Sequence, residues 1–110
     1  MGFEHKTLSE GRWNSFSFAF QMANIASEVS RSINWRNKND KKYSQLALFR
    51  ALELIDLTIT DPKNKKRVWE LARAREVLAD YFLGDQQYGS TARNLLNYFE
   101  IFTFANIASL

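Results

Sequence analysis

The chain has no cysteine, one proline, one histidine and four glycines among its 110 residues. Without cysteine there are no disulfides, no thiolate nucleophiles and no zinc clusters of the Cys type, and the composition fits a reducing, cytoplasmic location. The one histidine, His5, lies near the N-terminus and supplies neither a catalytic pair nor a metal set. The longest apolar stretches are broken by Gln21, Asn24, Glu28 or Glu100, so nothing is expected to span a membrane, and residues 1–10 carry no apolar run of leader-peptide length. The basic excess is small, +3 from 15 basic and 12 acidic residues, with both signs spread along the chain. A dedicated nucleic-acid binder concentrates its positive charge instead.

What is present is an apolar content of 45% with nine Phe and three Trp, enough for one domain with a real core. Three polar breaks, at residues 36–40, 61–66 and 84–90, cut the chain into four segments of helical period, and no strand alternation competes. The helices are expected at about 12–35, 40–60, 62–83 and 91–108. Asp61-Pro62 reads as an N-cap followed by proline at the first helical position. Gly84 stands where a left-handed C-terminal residue belongs, and Ser90 or Thr91 can cap the last helix. Short connections between long helices make neighbours antiparallel, so the fold class expected is all-α, an up-down-up-down four-helix bundle.

Projected at 100° per residue, the first and fourth segments carry more apolar surface than a lone bundle needs. Phe16, Phe18, Phe20, Met22, Ile25, Val29 and Ile33 leave the first segment only a narrow polar strip of Asn14, Gln21, Asn24, Glu28 and Ser32. Leu95, Phe99, Phe102, Phe104 and Ile107 wrap the fourth from nearly every side. The surplus implies a homodimer through those two segments, and with it a non-enzymatic interaction or accessory module that can also take a protein partner.

Arg75 projects into the apolar stripe of the third segment, among Leu71, Leu78 and Phe82, where a guanidinium needs a carboxylate or water. Folding the neighbouring segments back about the breaks brings Glu53 and Tyr98 nearest, which predicts a polar cluster of Glu53, Arg75 and Tyr98 inside the bundle. An ion pair that fixes helix register is its bland reading, and a ligand site its sharper one. Arg50, Glu53 and Asp56 share one face of the second segment. A di-iron bundle needs carboxylates on four helices with Glu-x-x-His pairs, and the histidines are absent. Solvated i, i+3 salt bridges are the favoured reading of that face, with an oxygen-only magnesium site the alternative, and no cofactor is expected.

Positive charge gathers twice, at Arg36, Lys38, Lys41 and Lys42 and again at Lys63, Lys65, Lys66 and Arg67, the latter at a positive helix end where an anion would relieve the repulsion. The bundle puts the two clusters at opposite ends. The third break, flanked by Gly84 and Gly89, lacks the P-loop pattern, and Trp35 and Tyr88 near that end suit a shallow surface or a packed seal.

Arg93-Asn94-Leu95-Leu96-Asn97-Tyr98 resembles a degenerate form of the Arg-Asn-x-x-x-His signature of the HEPN family, small four-helix bundles, often dimeric, some of them ribonucleases. The resemblance covers six residues and the helical layout. It implies binding of RNA or of a nucleotidyltransferase partner, with Arg93 and Asn94 carried over. Tyr98 occupies the histidine position, so cleavage does not carry over.

Overall fold

The computed structural model describes residues 10–84, Gly89 and residues 91–108, with side chains described from residue 11 to residue 100 within that span. Five α-helices account for it: α1 Glu10–Asn14, α2 Phe18–Asn37, α3 Lys41–Thr60, α4 Val68–Leu83 and α5 Ala92–Ala108, with a 3₁₀ turn at Pro62–Arg67 before α4. The fold class is all-α, and among the described residues no strand forms. No described helix is long and apolar enough to cross a membrane.

The first expected helix is two. Ser15 Oγ turns back on the Arg12 carbonyl at 2.6 Å, and Ser17 Oγ accepts the Phe20 amide at 3.1 Å as the N-cap of α2. Serine hydroxyls compete with the helical ladder for backbone groups, and two of them around Phe16 end one helix and start the next. The third expected helix also begins late. Asp61 caps as expected, its Oδ1 accepting the Lys63 amide at 3.1 Å, but the next six residues wind as 3₁₀. Lys63, Lys65, Lys66 and Arg67 repel one another and oppose the helix dipole there. The tighter turn also points Asn64 inward, where it is buried.

Gly84 is not left-handed, as expected, but extended at φ −102°, ψ −161°; a Cβ would meet the Asp80 Cα and Oδ1 at 3.1 Å. Positive φ falls instead at Gly89 (63°), later in the same break, and at Asn39 (61°), in the tight turn between α2 and α3, a conformation asparagine tolerates. Thr91 caps α5, accepting the Asn94 amide at 3.1 Å.

One core runs the length of the molecule. Met22, Ile25, Val29 and Ile33 of α2 face Leu48, Ala51, Leu52 and Ile55 of α3, with Leu71, Ala74 and Leu78 of α4 and Leu95 and Phe99 of α5 closing over them. Helix α2 is the hub, packed broadly on α3 and next on α5, whereas α4 leans mainly on α3 and only lightly on α5. Ser32 and Ser44 exchange hydrogen bonds with each other's carbonyls at 2.8 Å, and Gln21 reaches Asp61, so α2 and α3 are antiparallel. The Arg36 guanidinium over the Tyr81 ring, 4.9 Å from its centroid, joins the ends of α2 and α4, which therefore run the same way.

Candidate functional site

The expected cluster of Glu53, Arg75 and Tyr98 does not assemble. Arg75 donates from Nε to Asp56 Oδ1 at 2.7 Å and from Nη2 to Oδ2 at 3.4 Å, across the α3–α4 surface. Their side chains are 41% and 55% exposed, so this is a surface pair and not a buried one. The hydrogen bonds to Asp56 hold the guanidinium pKa above its ordinary value against partial burial. Two geometric facts explain the miss. The chain reverses within the 3₁₀ turn, where the midpoint between Asp56 and Arg75 falls, and not at Asp61, so the carboxylate that meets Arg75 is Asp56, about one helical turn beyond Glu53 on α3. And because α4 touches α5 only lightly, its buried stripe narrows to Leu71, Ala74 and Leu78, leaving Arg75 at the margin.

Glu53 is half-buried on α3, and its Oε2 accepts no hydrogen bond among the described residues. Tyr98 lies elsewhere, in the cleft between α4 and α5. Burial raises its hydroxyl pKa first; Arg73 nearby opposes that and Glu70 adds to it. Among the described residues no group of three His, Cys, Asp or Glu side chains could hold a metal ion, the Glu53 and Asp56 face included.

The polyanion candidates divide as well. Lys63 Nζ is engaged by the Asp61 carboxylate and by the Asn14 carbonyl at 3.0 Å, and the Arg67 guanidinium sits 4.4 Å from the Phe18 ring centroid. That leaves Lys65 and Lys66 exposed on the same turn. Arg93 and Asn94 are exposed at the start of α5, and the Asn94 amide serves the Thr91 cap. Of the other basic group, Arg36 lies over Tyr81 and Phe82 and Lys38 over Trp35 at 5.2 Å, with the Trp35 and Tyr43 rings tilted against each other at 5.0 Å, while Lys41 and Lys42 are exposed. Trp35 is part of a packed seal. Tyr88, its expected companion, lies outside the described residues. Beside the seal, Arg36, Lys41, Ser44, Gln45, Leu48, Phe82 and Leu83 line a hollow of about 170 Å³.

Two features were not expected from the sequence. The first is a buried polar knot. Trp13 Nε1 donates to Thr58 Oγ1 at 3.0 Å; Gln21 Nε2 donates to the Trp13 carbonyl at 3.0 Å and to Asp61 Oδ2 at 2.8 Å; Asn64 Nδ2 donates to Gln21 Oε1 and to the Thr58 carbonyl, each at 3.0 Å. All five residues are buried. Burial works against ionisation of Asp61, but hydrogen bonds from Lys63 and Gln21 outweigh it and hold the carboxyl below its ordinary range. The knot ties α1, α2, α3 and the 3₁₀ turn together. Of the polar strip expected on the first segment, Gln21, Glu28 and Ser32 are buried and Asn14 and Asn24 half-buried.

The second feature is Trp69, which is 89% exposed on α4, by far the most open large apolar side chain described. It stands on the rim of a groove of about 470 Å³ between α4 and α5, lined also by Glu70, Ala72, Arg73, Glu76 and Tyr98. No role for Trp69 is read from the sequence, where it lies off the apolar stripe of Leu71, Leu78 and Phe82 and among charged neighbours.

Comparison of the chain with protein-family models, with curated proteins and with solved structures finds no match. The class is therefore defined by the fold and these surfaces alone: an all-α protein with a buried polar knot at one end and an exposed tryptophan on a charge-flanked groove.

Proposed function

We propose that the chain is a non-enzymatic helical association module that acts as a homodimer. The observation that carries this reading is Trp69: a tryptophan 89% open to water withholds a side chain whose burial is worth about 2–3 kcal/mol. In a chain that hides its other two tryptophans wholly or in part, that surface suits a partner. The expected dimer surface shifts accordingly. Helix α2 buries Phe18, Met22, Ile25, Val29 and Ile33 within the chain and keeps outside only Phe20 and Ala23 of its apolar residues, because α3 and α5 cover it from two sides. The α5 half of the expectation rests largely on residues 101–108, whose side chains lie outside those described. RNA binding has less support, since Lys63 and Arg67 are engaged inside the chain. Sedimentation or light scattering between about 1 and 100 µM tests the proposal: a dimer whose population rises with concentration supports it, and a monomer throughout refutes it.

A further inference from the structure

Trp69, Arg73 and Glu76 lie three or four residues apart on α4 and so share its outer side, with Ala72 beside Arg73 and with Lys66 exposed on the 3₁₀ turn just before. All are exposed except Ala72, which is half-buried. The order of charge along this face is basic, aromatic, basic, acidic. Such an order is incompatible with itself in parallel, where Arg73 would meet Arg73 and Glu76 would meet Glu76. Reversed, it is complementary. An antiparallel copy with its two-fold axis beside Leu71 sets Trp69 opposite the partner's Arg73 and Lys66 opposite the partner's Glu76, each contact occurring twice.

We infer that the α4 face of a second copy of this chain occupies the α4–α5 groove, antiparallel, with Trp69 of each subunit seated against Ala72, Arg73 and Tyr98 of the other. This rests on the homodimer reading above and adds to it the surface and the register. Ala72 provides the space, since a small side chain on the groove floor lets an indole approach the helix. Arg73 supplies a cation for the ring face, the pairing in which tryptophan is strongest. Glu70 lies beside the partner's Arg73 in the same arrangement. The groove, at about 470 Å³, has room for the indole. Arg73 and Glu76 have interactions within the chain, and the pairing does not need them idle: exposed charges exchange partners at little cost.

The register makes a test that no other surface passes. Lys66→Glu alone puts carboxylate against the partner's Glu76, and Glu76→Lys alone puts ammonium against the partner's Lys66, so each variant on its own should dissociate at least about tenfold more readily than the unaltered chain. Mixed in equal amounts, the two variants should form a heterodimer, because every pair across the axis is then opposite in sign; the doubly substituted chain should regain self-association for the same reason. Trp69→Ala should weaken the dimer by about thirtyfold or more. All three residues are exposed, so circular dichroism should show the helical fold unchanged in each variant. A dimer indifferent to Trp69→Ala would overturn the surface while leaving the homodimer reading in place. Single variants that weaken association but are not rescued on mixing would overturn the antiparallel register. An unaltered chain that stays monomeric at about 100 µM would remove both readings together.

Discussion

Replacing Gln21 by leucine tests whether the buried knot stabilises the fold or merely occupies it. The side chain is fully buried and makes three hydrogen bonds, donating to the Trp13 carbonyl and to Asp61 Oδ2 and accepting from Asn64 Nδ2. Leucine has a similar volume, so no cavity opens. Two of the three partners stay satisfied, the Trp13 carbonyl by the Phe16 amide at 3.1 Å and Asp61 by Lys63, but Asn64 Nδ2 keeps only the Thr58 carbonyl and one of its buried N–H groups loses its acceptor. The loss is about 1 kcal/mol for the bond to the Trp13 carbonyl, about 1 for the Asn64 N–H left without an acceptor and about 2 for the bond to a carboxylate. Leucine recovers about 1 kcal/mol by burying apolar surface where an amide stood. The net cost is about 3 kcal/mol, a large share of the 5–15 kcal/mol typical of a domain. In urea titrations followed by circular dichroism the midpoint should fall by about 2 M with the slope unchanged. A loss under about 1 kcal/mol would mean that the knot is incidental. Gln21→Glu sharpens the comparison, because a second carboxylate facing Asp61 should destabilise more than leucine does.

Asp61 titrates below its ordinary value, so its stabilisation is complete above the unfolded-state pKa near 3.9 and is lost as pH falls through the lower folded-state value. Asp61→Asn should flatten the fall of the urea midpoint in that acidic window relative to the unaltered chain, and parallel curves from pH 6 to pH 2 would contradict the assignment. Arg75→Met should change stability by less than about 1 kcal/mol, since the Asp56 pair is exposed; a loss above about 2 kcal/mol in the same titration would restore Arg75 to the interior. Ser32→Ala and Ser44→Ala should each cost about 1 kcal/mol, and the double variant less than their sum, because the reciprocal bonds at 2.8 Å share both residues; strict additivity would show the two serines to act independently.

Helical period, the Asp61-Pro62 cap and the three polar breaks were legible in the sequence because each is a local signal read over a few residues. The all-α class followed from them. Where a boundary depended on which of two local preferences wins, it was not legible: Ser15 and Ser17 break the first helix, and the lysine run turns the start of the third into 3₁₀. That turn then moved the register on which Arg75 and Glu53 had been brought together, so a local misreading became a tertiary one. The polar strip of α2 was misread for a different reason. Periodicity shows that Gln21, Glu28 and Ser32 share a side, but whether that side is wet or bonded depends on partners such as Asp61, Asn64 and Ser44, which lie 12 or more residues away. Trp69 is the converse case, an apolar side chain left outside because its helix is covered on one side only.

These two departures fit one arrangement. At the end where α1, α2, α3 and the 3₁₀ turn meet, polar side chains are drawn inside and bonded to one another, which fixes the helices by directed bonds. Helix α4 takes no part in the knot; it is held by the buried Leu71, Ala74 and Leu78, by the half-buried Val77, Tyr81 and Phe82 against the core, by Arg36 over Tyr81 and by the surface pair of Arg75 with Asp56. Its outer face can therefore be given to a partner without disturbing what fixes the fold. The separation has a measurable form: Gln21→Leu should lower the urea midpoint of the dissociated chain and leave its association constant unchanged, whereas Trp69→Ala should weaken association and leave that midpoint within about 0.5 kcal/mol of its original stability. Variants that moved both quantities together would show that folding and pairing draw on the same contacts, and α4 would then be an element completed by its partner and not a surface presented to it.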